Sequence, residues 1–144
     1  MLHNLPEDPL KQLCILVVED QMQVRAWIAD LLRAMGVREI LMASDGIEAL
    51  ETVRQQRDRI DIIVCDWAMP RMSGIELLRE VRLMHPAMPF LMQTGHGTRD
   101  HVLEARNKGV SAFIVKPFSG AQLEVKLRQI AKSIRKAPTA SWRP

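Results

Sequence analysis

Three hydrophobic runs in this chain each stop on a chargeable group, and that repetition limits the fold more than anything else in the sequence. Leu13 to Val18 delivers Glu19 and Asp20, the run from Ile60 delivers Asp66, and Phe113 to Val115 delivers Lys116. Strands buried on both faces read as continuous apolar runs, which is the pattern of a parallel sheet covered by helices on each side. Groups placed just past the C-terminal ends of such strands emerge together at one edge of the sheet, where open α/β folds bind ligands.

Strand-like and helix-like segments alternate five times, which predicts an α/β fold: a five-stranded parallel sheet, doubly wound. After the first strand, Val24, Trp27, Ile28, Leu31, Leu32 and Met35 fall on one helical face, and Gly36 ends that helix. Ile40 to Ala43 reads as the second strand, followed by a helix that starts at Asp45 and buries Ala49, Leu50 and Val53. Ser73 and Glu76 form a capping box for the third helix, which runs to about Met84 and stops before Pro86. Phe90 to Gln93 is the fourth strand, ending at Thr94. The helix after it, Thr98 to Lys108, has a thin apolar face of Val102, Leu103 and Ala105 and is therefore the element expected to move. Ala112 to Val115 forms the last strand, and Ser119 with Gln122 caps a fifth helix whose buried stripe is Leu123, Leu127, Ile130 and Ile134.

With 144 residues, 47% of them hydrophobic, the chain suits one domain: residues 11–135, with an N-terminal extension at 1–10 and a disordered tail at 136–144. No stretch is long and apolar enough to span a membrane and the N-terminus lacks a basic leader, so a cytoplasmic protein without membrane insertion is expected. Cys14 and Cys65 sit near opposite ends of two strands, roughly 16 Å apart along them, beyond the ~7 Å Cα limit of a disulfide. The net charge of +3 is concentrated late in the chain, because residues 119–144 carry +5 and the remainder −2. A solvated face of the last helix, carrying Arg128, Lys132 and Arg135 opposite the apolar stripe, accounts for that charge; an acidic protein partner or nucleic acid would also be served by it. Without a recognition module, direct DNA binding is not expected.

Crowded carboxylates at Glu19, Asp20 and Asp66 repel one another unless a cation relieves them. Mg²⁺ accepts a few carboxylates while keeping room for waters and a phosphate oxygen. An Asp66 oxygen could then attack phosphorus in line, with Lys116 supplying positive charge and Thr94 a hydroxyl to the phosphoryl oxygens. Each residue alone has an ordinary reading as a turn former or helix cap. Their shared position in four of five strand units is what local capping does not predict.

Leu16-Val17-Val18-Glu19-Asp20, the segment Cys65-Asp66-Trp67-Ala68-Met69-Pro70-Arg71-Met72-Ser73-Gly74, Thr94-Gly95 and Lys116-Pro117-Phe118 together resemble the receiver domain of two-component response regulators, nearest in size to the stand-alone chemotaxis type. The resemblance implies a flavodoxin-like 2-1-3-4-5 strand order, for which that receiver is itself a standard illustration. It implies that Asp66 accepts phosphate from a histidine kinase or a histidine phosphotransfer protein. Asp20, Asp66 and the Ala68 backbone carbonyl would ligate Mg²⁺ directly, and Glu19 through a bound water. Thr94 and Phe113 match the switch pair, Lys116 the phosphate-binding lysine, with a cis bond to Pro117. A downstream protein partner would read the face built from the fourth helix, fifth strand and fifth helix.

Two positions that tune hydrolysis in that family are Ala68 and His96 here. Ala68 cannot orient a water, so slow autodephosphorylation is expected; His96 is either a phosphate or partner contact or an exposed loop histidine without a role. Gly95 replaces the commoner alanine, a change that would loosen the loop used by the switch. The implied protein is a signalling switch with self-phosphorylation and self-dephosphorylation only, not an enzyme with an independent substrate. A haloacid-dehalogenase-like phosphohydrolase would need a second Asp where Ala68 stands, and a flavin-binding module would need a phosphate loop where Glu19 and Asp20 stand.

Overall fold

A computed structural model of the protein describes residues 7–95 and 99–135. The expected tail at 136–144, His96 and the Thr98 cap lie outside the described residues. The strands are β1 (Cys14–Val18), β2 (Glu39–Ala43), β3 (Ile62–Asp66), β4 (Phe90–Thr94) and β5 (Ala112–Val115), each followed by a helix: α1 (Met22–Ala34), α2 (Gly46–Gln56), α3 (Gly74–Met84), α4 (Arg99–Asn107) and α5 (Gly120–Arg135). All strand pairs are parallel and the order is β2-β1-β3-β4-β5, as expected.

The central strands β1, β3 and β4 are buried along their whole length, whereas β2 and β5 at the edges are partly open. Alternation along each strand divides the core in two. Leu16, Val18, Ile63, Cys65, Phe90 and Met92 face α2 and α3, where Ala49, Leu50, Val53, Leu77, Leu78 and Val81 meet them. Ile15, Val17, Ile62, Val64, Leu91 and Ile114 face α1 and α5, against Ile28, Leu32, Leu123, Leu127 and Ile130. Each of the Val, Leu, Ile, Phe and Met side chains among them contributes about 1.5–3 kcal/mol on leaving water. The two apolar layers therefore clamp the sheet between helices on both sides and leave its ends to carry polar groups.

The helices begin and end on the signals in the sequence. The Asp45 carboxylate accepts from Glu48 N at 2.8 Å, Ser73 and Glu76 form a reciprocal capping box, and Ser119 and Gln122 form another. Gly36, just past α1, and Gly109, after α4, both adopt positive φ. Two details depart from expectation. Trp27 is 43% exposed and lies on the rim of α1, its ring tilted against Phe118 with 5.4 Å between centroids. Arg128 is no free member of a basic face, since its guanidinium bonds both Asp8 carboxylate oxygens, at 2.9 and 3.0 Å, and Glu124.

Asp8 also caps a short 3-10 helix, Pro9–Gln12, whose Leu10 is fully buried against α5 and the adjoining core. The inner end of the extension is thus packed on the domain. Both cysteines are free and buried, on neighbouring strands, with Cys65 level with Val18 and four residues from Cys14 along β1. Burial pushes the Cys14 thiol up to about 11 and the Cys65 thiol well above its usual range, so both are un-ionised at neutral pH.

Candidate functional site

Parallel pairing places the ends of β1, β3, β4 and β5 at one edge, and the backbone ladder runs past the strands into the loops there. Glu19 N bonds Ala43 O at 3.1 Å, Trp67 N bonds Gln93 O at 2.8 Å, and Lys116 N bonds Thr94 O at 2.8 Å. These bonds continue the sheet by one residue and fix the starting direction of each loop. Glu19, Asp20 and Asp66 consequently converge, with one carboxylate oxygen from each lying within 4.8 Å of the others. Lys116 Nζ donates to Asp66 Oδ1 at 2.8 Å and stands 3.6 Å from Glu19 Oε1, too far for a hydrogen bond.

The loop after β3 is shaped by close approach. Gly74 N bonds Trp67 O at 2.8 Å, and a Cβ at Gly74 would come within 2.4 Å of the Asp66 carbonyl oxygen, so the start of α3 seats against the Asp66 backbone only because residue 74 is glycine. Arg71 holds a positive φ of 70° in the same loop, and its guanidinium pairs with Asp45 Oδ2 at 3.0 Å. On the other side, Arg25 Nη1 donates to Glu19 O at 2.8 Å, tying the β1–α1 loop to its helix. The Lys116-Pro117 bond is cis.

Electrostatics at this edge follow from burial. Glu19 is only 1% exposed, and desolvation raises its carboxyl to about 6; the Asp66 charge adds to the rise, while the Gln21 N–H and Lys116 oppose it. Burial pulls the Lys116 ammonium down, but its hydrogen bond to Asp66 and the charges of Asp66 and Glu19 outweigh that, and the net direction is up. Glu19 Oε1 is buried without a hydrogen-bond partner among the described residues. An orphaned, desolvated carboxylate oxygen beside two further carboxylates is the donor set that a hard divalent cation satisfies, so the residues present fit Mg²⁺.

Thr94 is buried at the end of β4, and Ala68 is exposed on the loop after β3. Phe113 is half-buried on β5, packed against the α2–α3 side of the core, and Lys126 Nζ lies 5.7 Å from its ring centroid. Thus Glu19, Asp20 and Asp66 are in mutual reach and Lys116 pairs with Asp66 and Glu19, while Thr94 ends the neighbouring strand, Ala68 lies two residues past Asp66, and Phe113 stands level with Met92, short of the edge. The groove lined by Ile60, Asp61, Ala112, Ile130 and Ile134 involves none of these residues. The clustered carboxylates and Lys116 lie at the sheet edge, away from that concavity.

Sequence reasoning missed Gln93, which is completely buried on β4 directly beside Asp66. Its polar side chain inside an otherwise apolar run was the available signal.

Residues 15–128 match the model of the response regulator receiver domain family. A chemotaxis protein CheY-3 of Vibrio cholerae is 39% identical over 124 residues, covering 83% of this chain and 92% of that protein. Among solved structures, a response regulator receiver domain protein from Clostridium thermocellum superposes with a TM-score of 0.82 at 29% identity, over 87% of this chain and 98% of that one. The receiver domain of the sensor histidine kinase PA1611 from Pseudomonas aeruginosa, with magnesium coordinated in its active-site cleft, superposes with a TM-score of 0.75 at 27% identity, over 83% and 98% of the two chains.

Proposed function

Because the chain belongs to the response regulator receiver family, whose members are signalling switches phosphorylated on an aspartate, we propose that Asp66 is its phosphoacceptor and that the acidic edge works with Mg²⁺. The observation that carries this reading is the convergence of three carboxylates around Asp66 with Lys116 Nζ at 2.8 Å. The histidine-kinase receiver with magnesium in its cleft supports the choice of metal.

Asp20, Asp66 and the Ala68 carbonyl would hold the ion directly, with Glu19 acting through a bound water. When bound, Mg²⁺ supplies charge neutralisation and a fixed orientation for phosphoryl oxygens. Asp66 presents one carboxylate oxygen to the phosphorus of a phosphohistidine or a small acyl-phosphate donor. The new O–P bond forms as the bond from phosphorus to the donor atom breaks, and the donor leaves with the electron pair. Lys116 stabilises the negative charge that stays on the phosphoryl oxygens, and Thr94 offers its hydroxyl to one of them.

The donor partner is a histidine kinase or a histidine phosphotransfer protein. Thr94 and Phe113 then relay the event to the face of α4, β5 and α5, where Val115 and Val125 are 41% and 55% exposed, ready for a downstream protein. Val125 among basic neighbours suits a partner surface that is apolar at its centre and acidic at its rim. Among the described residues no helix is long and apolar enough to cross a membrane. The reaction is self-phosphorylation followed by slow self-dephosphorylation.

The experiment is direct. The protein and its Asp66→Asn variant are incubated with Mg²⁺ and acetyl phosphate and followed by intact mass. Wild type gains one phosphoryl group and the variant gains none; a wild-type chain that stays unmodified, or a variant modified to the same extent, overturns the assignment.

A further inference from the structure

Gln93 is 0% exposed, and neither its Oε1 nor its Nε2 has a hydrogen-bond partner among the described residues. A buried amide left unpaired costs free energy that a methionine of similar length would not. Its position gives that cost a context. Gln93 is registered with Asp66 across β3 and β4 and with Ile114 across β4 and β5. Strand alternation places it on the α1–α5 side with Leu91, Val64 and Ile114, the side to which Asp66, two residues after Val64, also belongs.

β4 lies between β3 and β5 in the sheet. The Lys116 side chain starts just beyond β5 and reaches Asp66 Oδ1 on β3 at 2.8 Å, so it crosses the end of β4, where Gln93 and Thr94 stand. In this arrangement the ammonium serves two carboxylates, Asp66 and, at 3.6 Å, Glu19. Once a divalent cation takes those carboxylates and Asp66 carries a phosphoryl group, Lys116 loses the acceptors it has now, while the Gln93 amide, unpaired among the described residues, stands on the strand that the lysine crosses.

We infer that Gln93 is a positioning residue for Lys116 in the phosphorylated state, its Oε1 accepting one ammonium proton while the lysine holds a phosphoryl oxygen with another. This rests on Asp66 being the phosphoacceptor. Among the described residues the resting structure leaves the amide unpaired and the phosphorylated state pairs it, so Gln93 biases the switch toward its phosphorylated form. A methionine there would stabilise the resting protein and weaken its response.

The test is a double-mutant cycle on the full chain with Gln93→Met, Lys116→Met and the pair, titrated calorimetrically with Mg²⁺ alone and then with beryllofluoride in saturating Mg²⁺. Gln93→Met leaves Mg²⁺ affinity within about twofold and weakens beryllofluoride binding about tenfold, as expected for one lost buried hydrogen bond to a charged group. In the Lys116→Met background the same change alters beryllofluoride affinity by no more than about twofold. Equal beryllofluoride affinity with Gln or Met at 93, or equal weakening with and without Lys116, overturns the inference while leaving Asp66 as phosphoacceptor. Failure of wild type both to bind beryllofluoride and to gain phosphoryl mass overturns the underlying reading itself. Should the methionine variant not fold, Gln93→Asn, which keeps the amide but withdraws it by one methylene, runs the same cycle, and the same results support or overturn the inference.

Discussion

Lys116 Nζ sits 2.8 Å from Asp66 Oδ1, so the group that would steady a transferred phosphoryl occupies one oxygen of its acceptor beforehand. The ammonium and a divalent cation therefore compete for the same charge. Replacing Lys116 by methionine, which keeps the length of the side chain but not its charge, removes the competitor. Mg²⁺ should bind about tenfold more tightly to Lys116→Met, given one unit charge removed a few ångströms away in a partly screened site. Calorimetric titration measures this, and unchanged or weaker Mg²⁺ binding would contradict it.

Glu19 makes the metal-free protein sensitive to pH. Its folded-state carboxyl is raised to about 6 from 4.5, chiefly by burial, so the folded state takes up a proton before the unfolded state does as the pH falls. The sign is thus a stability gained on acidification and lost as the pH rises from 4.5 through about 6. The difference amounts to about 2 kcal/mol. Without metal, Glu19→Gln should be more stable than wild type by about that amount at pH 8, with the gap closing below pH 4.5. Denaturant titrations at the two pH values measure it; a gap that does not depend on pH rules the carboxyl out as its source. Added Mg²⁺ should stabilise wild type at pH 8 by mass action.

On the proposed reading, Ala68 would leave the position beside the phosphoryl without a side-chain donor or acceptor. Introducing one with Ala68→Asn should orient an attacking water and shorten the lifetime of the acyl phosphate about tenfold. The rate of phosphoryl mass loss after donor removal reads this directly. A lifetime equal to or longer than that of wild type would sink the idea.

Leu10 is completely buried although it belongs to a segment that composition alone would call peripheral. Leu10→Ala should cost about 2–5 kcal/mol of unfolding free energy, the usual range for an emptied leucine site. It should leave Mg²⁺ binding untouched, because Leu10 is no part of the acidic cluster. A loss below about 1 kcal/mol in urea unfolding would mean that the 3-10 helix is only loosely seated.

The acidic edge could be read from the sequence because a fully buried parallel strand announces itself as an unbroken apolar run, and the residues just past its end can emerge only at the edge of the sheet. Asp66, Glu19, Asp20 and Lys116 meet for that reason. Gln93 escaped because, although its polar side chain interrupts an apolar run, one glutamine near the end of a strand ordinarily reaches solvent, and only the fold buries it. Arg128 was expected among a set of solvated bases because its partner Asp8 lies 120 residues away in sequence. Pairing over such a distance leaves no periodic trace. Trp27 obeyed the helical period yet sits at the rim, since periodicity gives the direction of a side chain but not how far the neighbouring helix covers it.

α4 is held differently from the other helices. Among its described side chains Ala105 is the one fully buried, and Leu103 is 42% exposed. A helix whose described side chains bury only Ala105 fully and Val102 in part, neither of them a member of the two core layers, can be reseated without reopening either apolar layer of the sheet. On the proposed reading, robustness and responsiveness would be lodged in separate parts of the chain, and changes that harden the core need not dull the signal.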